Sequence, residues 1–176
     1  MKLHWAFQSR DAIHFVMDFC PGGELFFLLS RIGRFSEPTA RFYFAEILLG
    51  LEALHARNVM YRDLKPENVL LDVDGHVKLA DFGLSKDPEG PLSYSFCGSP
   101  EYMSPEMLAA AGHDWRVDLY SLGAILYEML TGLPPFYNSD TKIMYDAIVH
   151  EQLCYPSYLS EAAIALLSEL LEKDPD

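Results

Sequence analysis

The chain has 176 residues, half of them hydrophobic, and a formal net charge of −13 at pH 7. This length and apolar content suffice for one domain with its own core and exclude an intrinsically disordered chain. The acidic balance argues against nucleic acid or an anionic membrane as the main partner and allows attraction of basic substrates.

Three cysteines, Cys20, Cys97 and Cys154, lie far apart without CxxC spacing or histidine companions. That pattern opposes a zinc site and fits a reducing compartment. Met1 to His4 opens directly into a strand-like segment with no charged leader, so no secretory signal is expected. The most apolar stretch, Leu119 to Leu133, contains Glu128 and is too short to span a bilayer.

In chain order, Leu3 to Phe7 and Ile13 to Phe19 read as two short strands joined by the polar turn Gln8-Ser9-Arg10-Asp11. Pro21-Gly22-Gly23 breaks the pattern and by itself reads as an ordinary loop. Ser36 is a good N-cap for a helix with Pro38 in its first turn. Ala40, Phe44, Ile47, Leu48, Leu51 and Leu54 then recur at three and four residues and give that helix one apolar face through to Ala56.

The segment Met60 to Gly83 follows. Asp74-Gly75 between the apolar runs Val69 to Asp72 and His76 to Ala80 predicts a hairpin closed by a two-residue type I′ loop. Cross-strand partners would then sum to 149, which sets Asn68 opposite Asp81. Directly opposite side chains are roughly 5 Å apart on one face. An amide oxygen and a carboxylate so placed, near Asp63 and Lys65, suit Mg²⁺ and phosphate, because magnesium prefers hard oxygen ligands. Asp72-Val73-Asp74-Gly75 is not an EF-hand loop: its glycine is fourth rather than sixth, and position twelve is Gly83 rather than Glu. Carboxylate pairs suited to glycoside hydrolysis occur in any acidic chain and here form no ordered pattern.

Beyond Gly83 comes a loop rich in Gly, Pro and Ser, Lys86 to Tyr94. Val117 to Thr131 is apolar on nearly all sides, the signature of a buried central helix, and ends at Leu133-Pro134-Pro135-Phe136. Two further helices are expected at about Asp140 to Val149 and Ser160 to Leu171, the latter with Leu166, Leu167, Leu170 and Leu171 facing inward. His55, His76, His113 and His150 stand singly on different elements and are given no chemistry.

Tyr61-Arg62-Asp63-Leu64-Lys65-Pro66-Glu67-Asn68 followed by Asp81-Phe82-Gly83 resembles the catalytic and metal loops of eukaryotic protein kinases. Tyr61 stands where His is more common, a replacement usual in the AGC group, so the chain is similar to AGC serine/threonine kinases of the ribosomal S6 kinase type. The resemblance implies an α+β kinase-like fold, with residues 1–20 the remnant of the small lobe and hinge and 21–176 a mainly helical large lobe. It implies ATP and Mg²⁺ as cofactors and a protein as substrate. Asp63 would accept the substrate hydroxyl's proton, Lys65 would steady the γ-phosphate, and Ser99 would hydrogen-bond both; Asn68 and Asp81 would hold magnesium. Met17 would be the gatekeeper and Leu70 would press on the adenine. Backbone groups near Asp18 and Cys20 would bind adenine, with Glu24 facing the ribose.

Ser95-Phe96-Cys97-Gly98 to Ser104-Pro105-Glu106 is similar to the AGC activation segment, with Ser104 where the family has Ala. Ser95 matches its phosphorylation site, with Arg62 as partner and an upstream kinase as activator; taken alone it is a loop serine. Asp118 would accept backbone hydrogens of the catalytic loop. Glu24, Glu67 and Glu128 match positions that read basic residues N-terminal to the acceptor, each as an unpaired acid. The family's glycine-rich loop, strand lysine and helix glutamate would lie upstream of the first strand, and the arginine partner of Glu106 beyond Asp176. An isolated chain would therefore be weakly active or inactive. Two readings remain, a catalytic kinase or a kinase-fold binding module that regulates by contact. The expected location is the cytoplasm, extending to the nucleus.

Overall fold

A computed structural model describes residues 1–86 and 92–175. Trp5 and Phe7 of β1 (Leu3–Gln8) and Ile13, Phe15 and Val16 of β2 (Ile13–Met17), aromatic and β-branched residues that favour strands, belong to an antiparallel pair with a register shift between Leu3 and Trp5. Both faces of this ribbon meet solvent, with Trp5 65% and Phe15 61% exposed.

A second antiparallel sheet has the order β3 (Gly23–Glu24), β4 (Val69–Leu71), β5 (Val77–Leu79). Between β3 and β4 run two helices, α1 (Leu25–Ile32) and α2 (Glu37–His55). The sequence reading did not anticipate α1, which buries Leu25 and Leu29 one helical turn apart and ends where Gly33, at φ 87°, returns its N–H to the Leu29 carbonyl. In α2, Ser36 Oγ accepts from Thr39 N, and Ala40, Ile47 and Leu51 are buried. Leu48 lies at the edge of that face, 36% exposed.

Short α3 (Pro105–Leu108) precedes α4 (Arg116–Thr131), which starts one residue before the apolar run and is buried along nearly its whole length. Leu122, Ile125 and Met129 of α4 pack in one core with Ile47 and Leu51 of α2. Then come α5 (Thr141–His150) and α6 (Glu161–Leu170). A Cβ on Gly123 would stand 2.8 Å from Leu170 Cβ, so the approach of α6 to α4 requires glycine there. Leu167 and Leu171 face inward, whereas Leu166 is 37% exposed at the mouth of a cavity shared with α2. Helices gathered around small antiparallel sheets make this an α+β fold.

The hairpin departs from its expected register. Val69 pairs with Leu79 and Leu71 with Val77, so partners sum to 148, and Asn68 faces Ala80 rather than Asp81. The two-residue loop is overturned by the Asp72 side chain: Oδ1 accepts from both Asp74 N and His76 N, while Asp72 N donates to the His76 carbonyl. This closes a three-residue loop, Val73-Asp74-Gly75, with Gly75 at φ 86° as its left-handed residue. Asp81 is thereby moved one residue past the ladder.

Candidate active site

The site is built on a buried carboxylate. Asp118, in the first turn of α4 and wholly buried, accepts Tyr61 N at 2.8 Å and Arg62 N at 2.7 Å, with His55 Nε2 at 2.7 Å. Two successive amides bound to one carboxylate fix the loop that follows. Arg62 adopts φ 69° and Asp81 φ 51°, left-handed geometry that is strained for such residues and persists because neighbours hold it. Tyr61 spans the two segments: its hydroxyl donates to the Ala80 carbonyl, and its ring meets Phe82 edge-on at 5.4 Å. Burial, with Asp63, Asp81 and Asp118 adding to it, pushes the Tyr61 phenol far above its ordinary pKa and keeps it a neutral donor.

Asp63 sits at the centre of a closed polar network. Its Oδ1 accepts Ser99 Oγ at 2.9 Å, while Oδ2 takes Asn68 Nδ2 at 3.1 Å and lies 3.2 Å from Lys65 Nζ. Lys65 Nζ donates to Ser99 Oγ at 2.8 Å, and Asn68 Nδ2 also reaches the Asp63 carbonyl at 2.8 Å. A carboxylate and a carbonyl can only accept, so the Asn68 atom facing them is Nδ2 and Oδ1 is left for a cation. Asp81 is exposed and spends one oxygen on Gly83 N at 3.1 Å. One amide oxygen and one carboxylate at the same end of a hairpin fit magnesium, which completes its shell with water and phosphate oxygens. Among the described residues, no group of three His, Cys, Asp or Glu offers a metal site of the closed, all-protein kind.

The residues expected to bind nucleotide lie at the end of β2, on the connector that follows it, and on β3 and β4. Met17 closes β2, half-exposed. Asp18 N donates to the Lys2 carbonyl, and its carboxylate accepts His4 Nε2 and Lys2 N, which hold it below the usual carboxylate range. Cys20 is half-buried and its carbonyl accepts Gly23 N. The Asp18 carbonyl and the Cys20 N–H have no protein partner among the described residues, leaving one acceptor and one donor as adenine requires. Glu24 pairs with Leu70 across β3 and β4, so these two expected contacts are neighbours in one sheet.

The acids expected to read basic side chains divide. Glu67 and Glu128 line one cleft of about 420 Å³ with Ser99 and Tyr102, and Glu24 does not line it. The same cleft gains Glu101, which sequence reasoning missed because its role depends on the turn of 3₁₀ helix at Pro100–Tyr102. Glu128 is not the unpaired acid expected. It is buried in α4, Tyr102 Oη donates to its Oε2 at 2.7 Å, and burial pushes its pKa up to about 7. Glu67 Oε2 is buried with no hydrogen-bond partner.

Of the loop expected over Lys86 to Tyr94, residues 87–91 lie outside the described residues. Ser95 is exposed. Arg62 directs Nε and Nη2 to the Leu84 carbonyl and Nη1 to Ser93 Oγ at 3.3 Å, so it meets Ser93 rather than Ser95.

Residues 1–176 match the protein kinase domain family. The chain is 51% identical over 177 residues to Protein kinase 2 of Dictyostelium discoideum, covering 100% of this chain and 37% of that protein. It is 52% identical over 175 residues to the human serine/threonine-protein kinase Sgk2, covering 98% and 47%. With the Sgk1 of Fundulus heteroclitus it shares 53% over 175 residues, covering 98% and 40%. The chain thus spans less than half the length of these relatives.

Proposed function

The chain belongs to the protein kinase family, and from that premise we propose that it carries the phosphotransfer machinery of a serine/threonine kinase acting on proteins. The observation that carries this reading is the network on Asp63, which joins an acid, a cation, an amide and a hydroxyl from two separated segments. Phosphoryl transfer needs positioning and charge neutralisation more than covalent chemistry. In this reading Asp63 orients the acceptor hydroxyl and takes its proton, and Lys65 steadies the transferred phosphoryl group while Ser99 holds both side chains. Asn68 and Asp81 would hold magnesium, which neutralises phosphate charge when bound. ATP would lie over Leu70 with its adenine on the Asp18 carbonyl and Cys20 N–H, and Met17 behind. Residues 1–20 serve as small-lobe strands and hinge, and 21–176 as large lobe. The alternative, a binding module that regulates by contact, has no need of an intact Asp63 network.

By themselves these 176 residues are expected to bind ATP weakly and turn over slowly, since among the described residues the proposed grip on phosphate is Lys65 with the two proposed magnesium ligands. The three free cysteines fit a reducing compartment, the cytoplasm and nucleus. Among the described residues no helix is long and apolar enough to cross a membrane.

The substrate reading is a preference for arginine N-terminal to the acceptor, supported by the cleft of Glu67, Glu101 and Glu128. Because burial raises Glu128 to about 7, its charge develops as pH rises through neutrality. The preference should therefore strengthen between about pH 6 and 8. The stability sign is opposite. A carboxyl that binds its proton more tightly when folded favours the folded state at low pH, and this contribution is lost between the unfolded value of 4.5 and about 7. Glu128→Gln keeps an acceptor for Tyr102 and should stabilise the chain at pH 8 by about 1–3 kcal/mol. The same change should blunt discrimination between arginine and alanine peptides. Kinetics on a peptide library and urea titrations at pH 5 and 8 check both halves. Acidic or proline-directed specificity would sink the substrate reading.

A further inference from the structure

Two cations, Arg62 and Lys86, act on a buried imidazole, His113, that is bridged to the segment leading to Ser95. Arg62, 9% exposed, is held by Asp118 through its backbone. Lys86 exchanges both backbone hydrogen bonds with Met60, one residue before the catalytic loop. His113 exchanges both with Ser93, at 2.7 and 2.8 Å, so it is pinned to the strand-like stretch two residues ahead of Ser95. The fit of this stretch is close, since a Cβ on Gly112 would stand 2.8 Å from the Tyr94 ring.

His113 is 3% exposed, and its Nε2 is buried with no hydrogen-bond partner. Burying an imidazole nitrogen without a partner is costly and asks for an explanation. The groups facing it are Arg62 and Lys86, which oppose its protonation, and Asp114 and Asp118, which favour it. Both acids are already engaged: Asp114 accepts Arg116 Nε at 3.1 Å, and Asp118 accepts two amides and His55. Burial, followed by Arg62, therefore leaves the ring below the ordinary histidine pKa. Two permanent cations acting on one buried ring, whose proton affinity an arriving anion would raise, suit a phosphate monoester. Ser93 Oγ now occupies the Arg62 side of this group, and Ser95 follows one repeat of an extended chain later.

We propose that His113 is a pH-dependent ligand for a phosphate on Ser95, completing with Arg62 and Lys86 the pocket that couples this segment to the catalytic loop. The inference rests on the reading of Ser95 as a phosphate acceptor and adds the residue that tunes it. Phosphate displaces Ser93 Oγ from Arg62 and supplies the dianion that His113 lacks. Protonated His113 then holds the segment below the new ring pKa and releases it as pH rises through that value.

The test installs phosphoserine at position 95 of the full chain by codon reassignment, with phosphoserine at 93 as a second arm. Proton and nitrogen NMR follow the His113 ring, and phosphorus NMR follows the phosphate. With phosphoserine 95 the His113 midpoint should rise by at least about one pH unit, a tenfold gain in proton affinity. The phosphate should titrate below the value near 6 of a free phosphomonoester, and His113→Gln should return it toward that value. Equal His113 midpoints with and without phosphoserine 95 would overturn the proposal without requiring any variant to fold, and so would a response confined to phosphoserine 93. Mass spectrometry of the chain after incubation with an activating kinase tests the underlying reading separately. An unmodified Ser95 there, beside a responsive His113, refutes Ser95 as the natural acceptor and leaves the pocket intact.

Discussion

Asp118→Ala is expected to destabilise the chain by about 4 kcal/mol, because it strips a fully buried carboxylate from the two amides and the imidazole that converge on it. Each buried donor left without an acceptor costs roughly 1–3 kcal/mol, and here at least the two amides lose theirs. Against a typical total of about 5–15 kcal/mol this is a large share. Asp118→Asn should cost less, since one amide oxygen can still accept, but its NH₂ must face a backbone N–H. Urea denaturation of the three proteins gives the ranking directly. A loss under about 1 kcal/mol for alanine would mean that water or another acceptor replaces the carboxylate. The effect should also reach the site, because Tyr61 and Arg62 set the path of the loop that presents Asp63.

Asp63→Asn carries the largest expected effect on activity. Asparagine matches the carboxylate in shape and still offers an oxygen to Ser99 or Lys65, so the fold should stand. It cannot take a proton, and loss of a general base lowers turnover by about 10²–10⁴-fold. Nucleotide affinity should hardly change, since Asp63 acts on the acceptor side. Asp81→Asn should invert the pattern by weakening Mg²⁺·ATP binding first. Isothermal titration with Mg²⁺·ATP beside peptide kinetics separates the two. Equal turnover for Asp63→Asn and wild type would remove Asp63 from its assigned role.

How far the sequence could be read depended on whether an interaction was local. Asp63, Lys65 and Asn68 share one short loop, and their proximity in the fold follows from spacing alone. Helix α4 was legible because a segment apolar on every side has only the core to occupy. The hairpin was placed correctly but misregistered by one residue, since the deciding event is the Asp72 carboxylate capturing two amides. No hydrophobic pattern records such a capture. Helix α1 was missed because its cluster of aromatic and leucine residues follows a strand with no polar N-cap: Glu24 fills that position without a side-chain hydrogen bond.

Tertiary burial was the other blind spot. Glu128 read as an unpaired cleft acid; it does line the cleft, yet it is buried in the central helix and bonded to a tyrosine 26 residues away. Nothing near Glu128 in sequence announces Tyr102. His113 was set aside as a lone histidine, and its isolation in sequence was real. Its significance comes from a backbone bridge to Ser93 and from the neighbouring cations, which meet only when the chain is folded.

The central claim is that the Asp63 network transfers phosphate rather than merely surviving from a catalytic ancestor. The measurement that addresses it most directly is phosphate transfer from γ-labelled Mg²⁺·ATP to an arginine-containing serine peptide. The protein used joins these 176 residues to a small lobe bearing a glycine-rich loop. We expect turnover of about 1–100 per second, lost in the Asp63→Asn form of the same protein. Saturable Mg²⁺·ATP binding with peptide labelling no higher than in that variant would contradict the account and leave a binding module in its place.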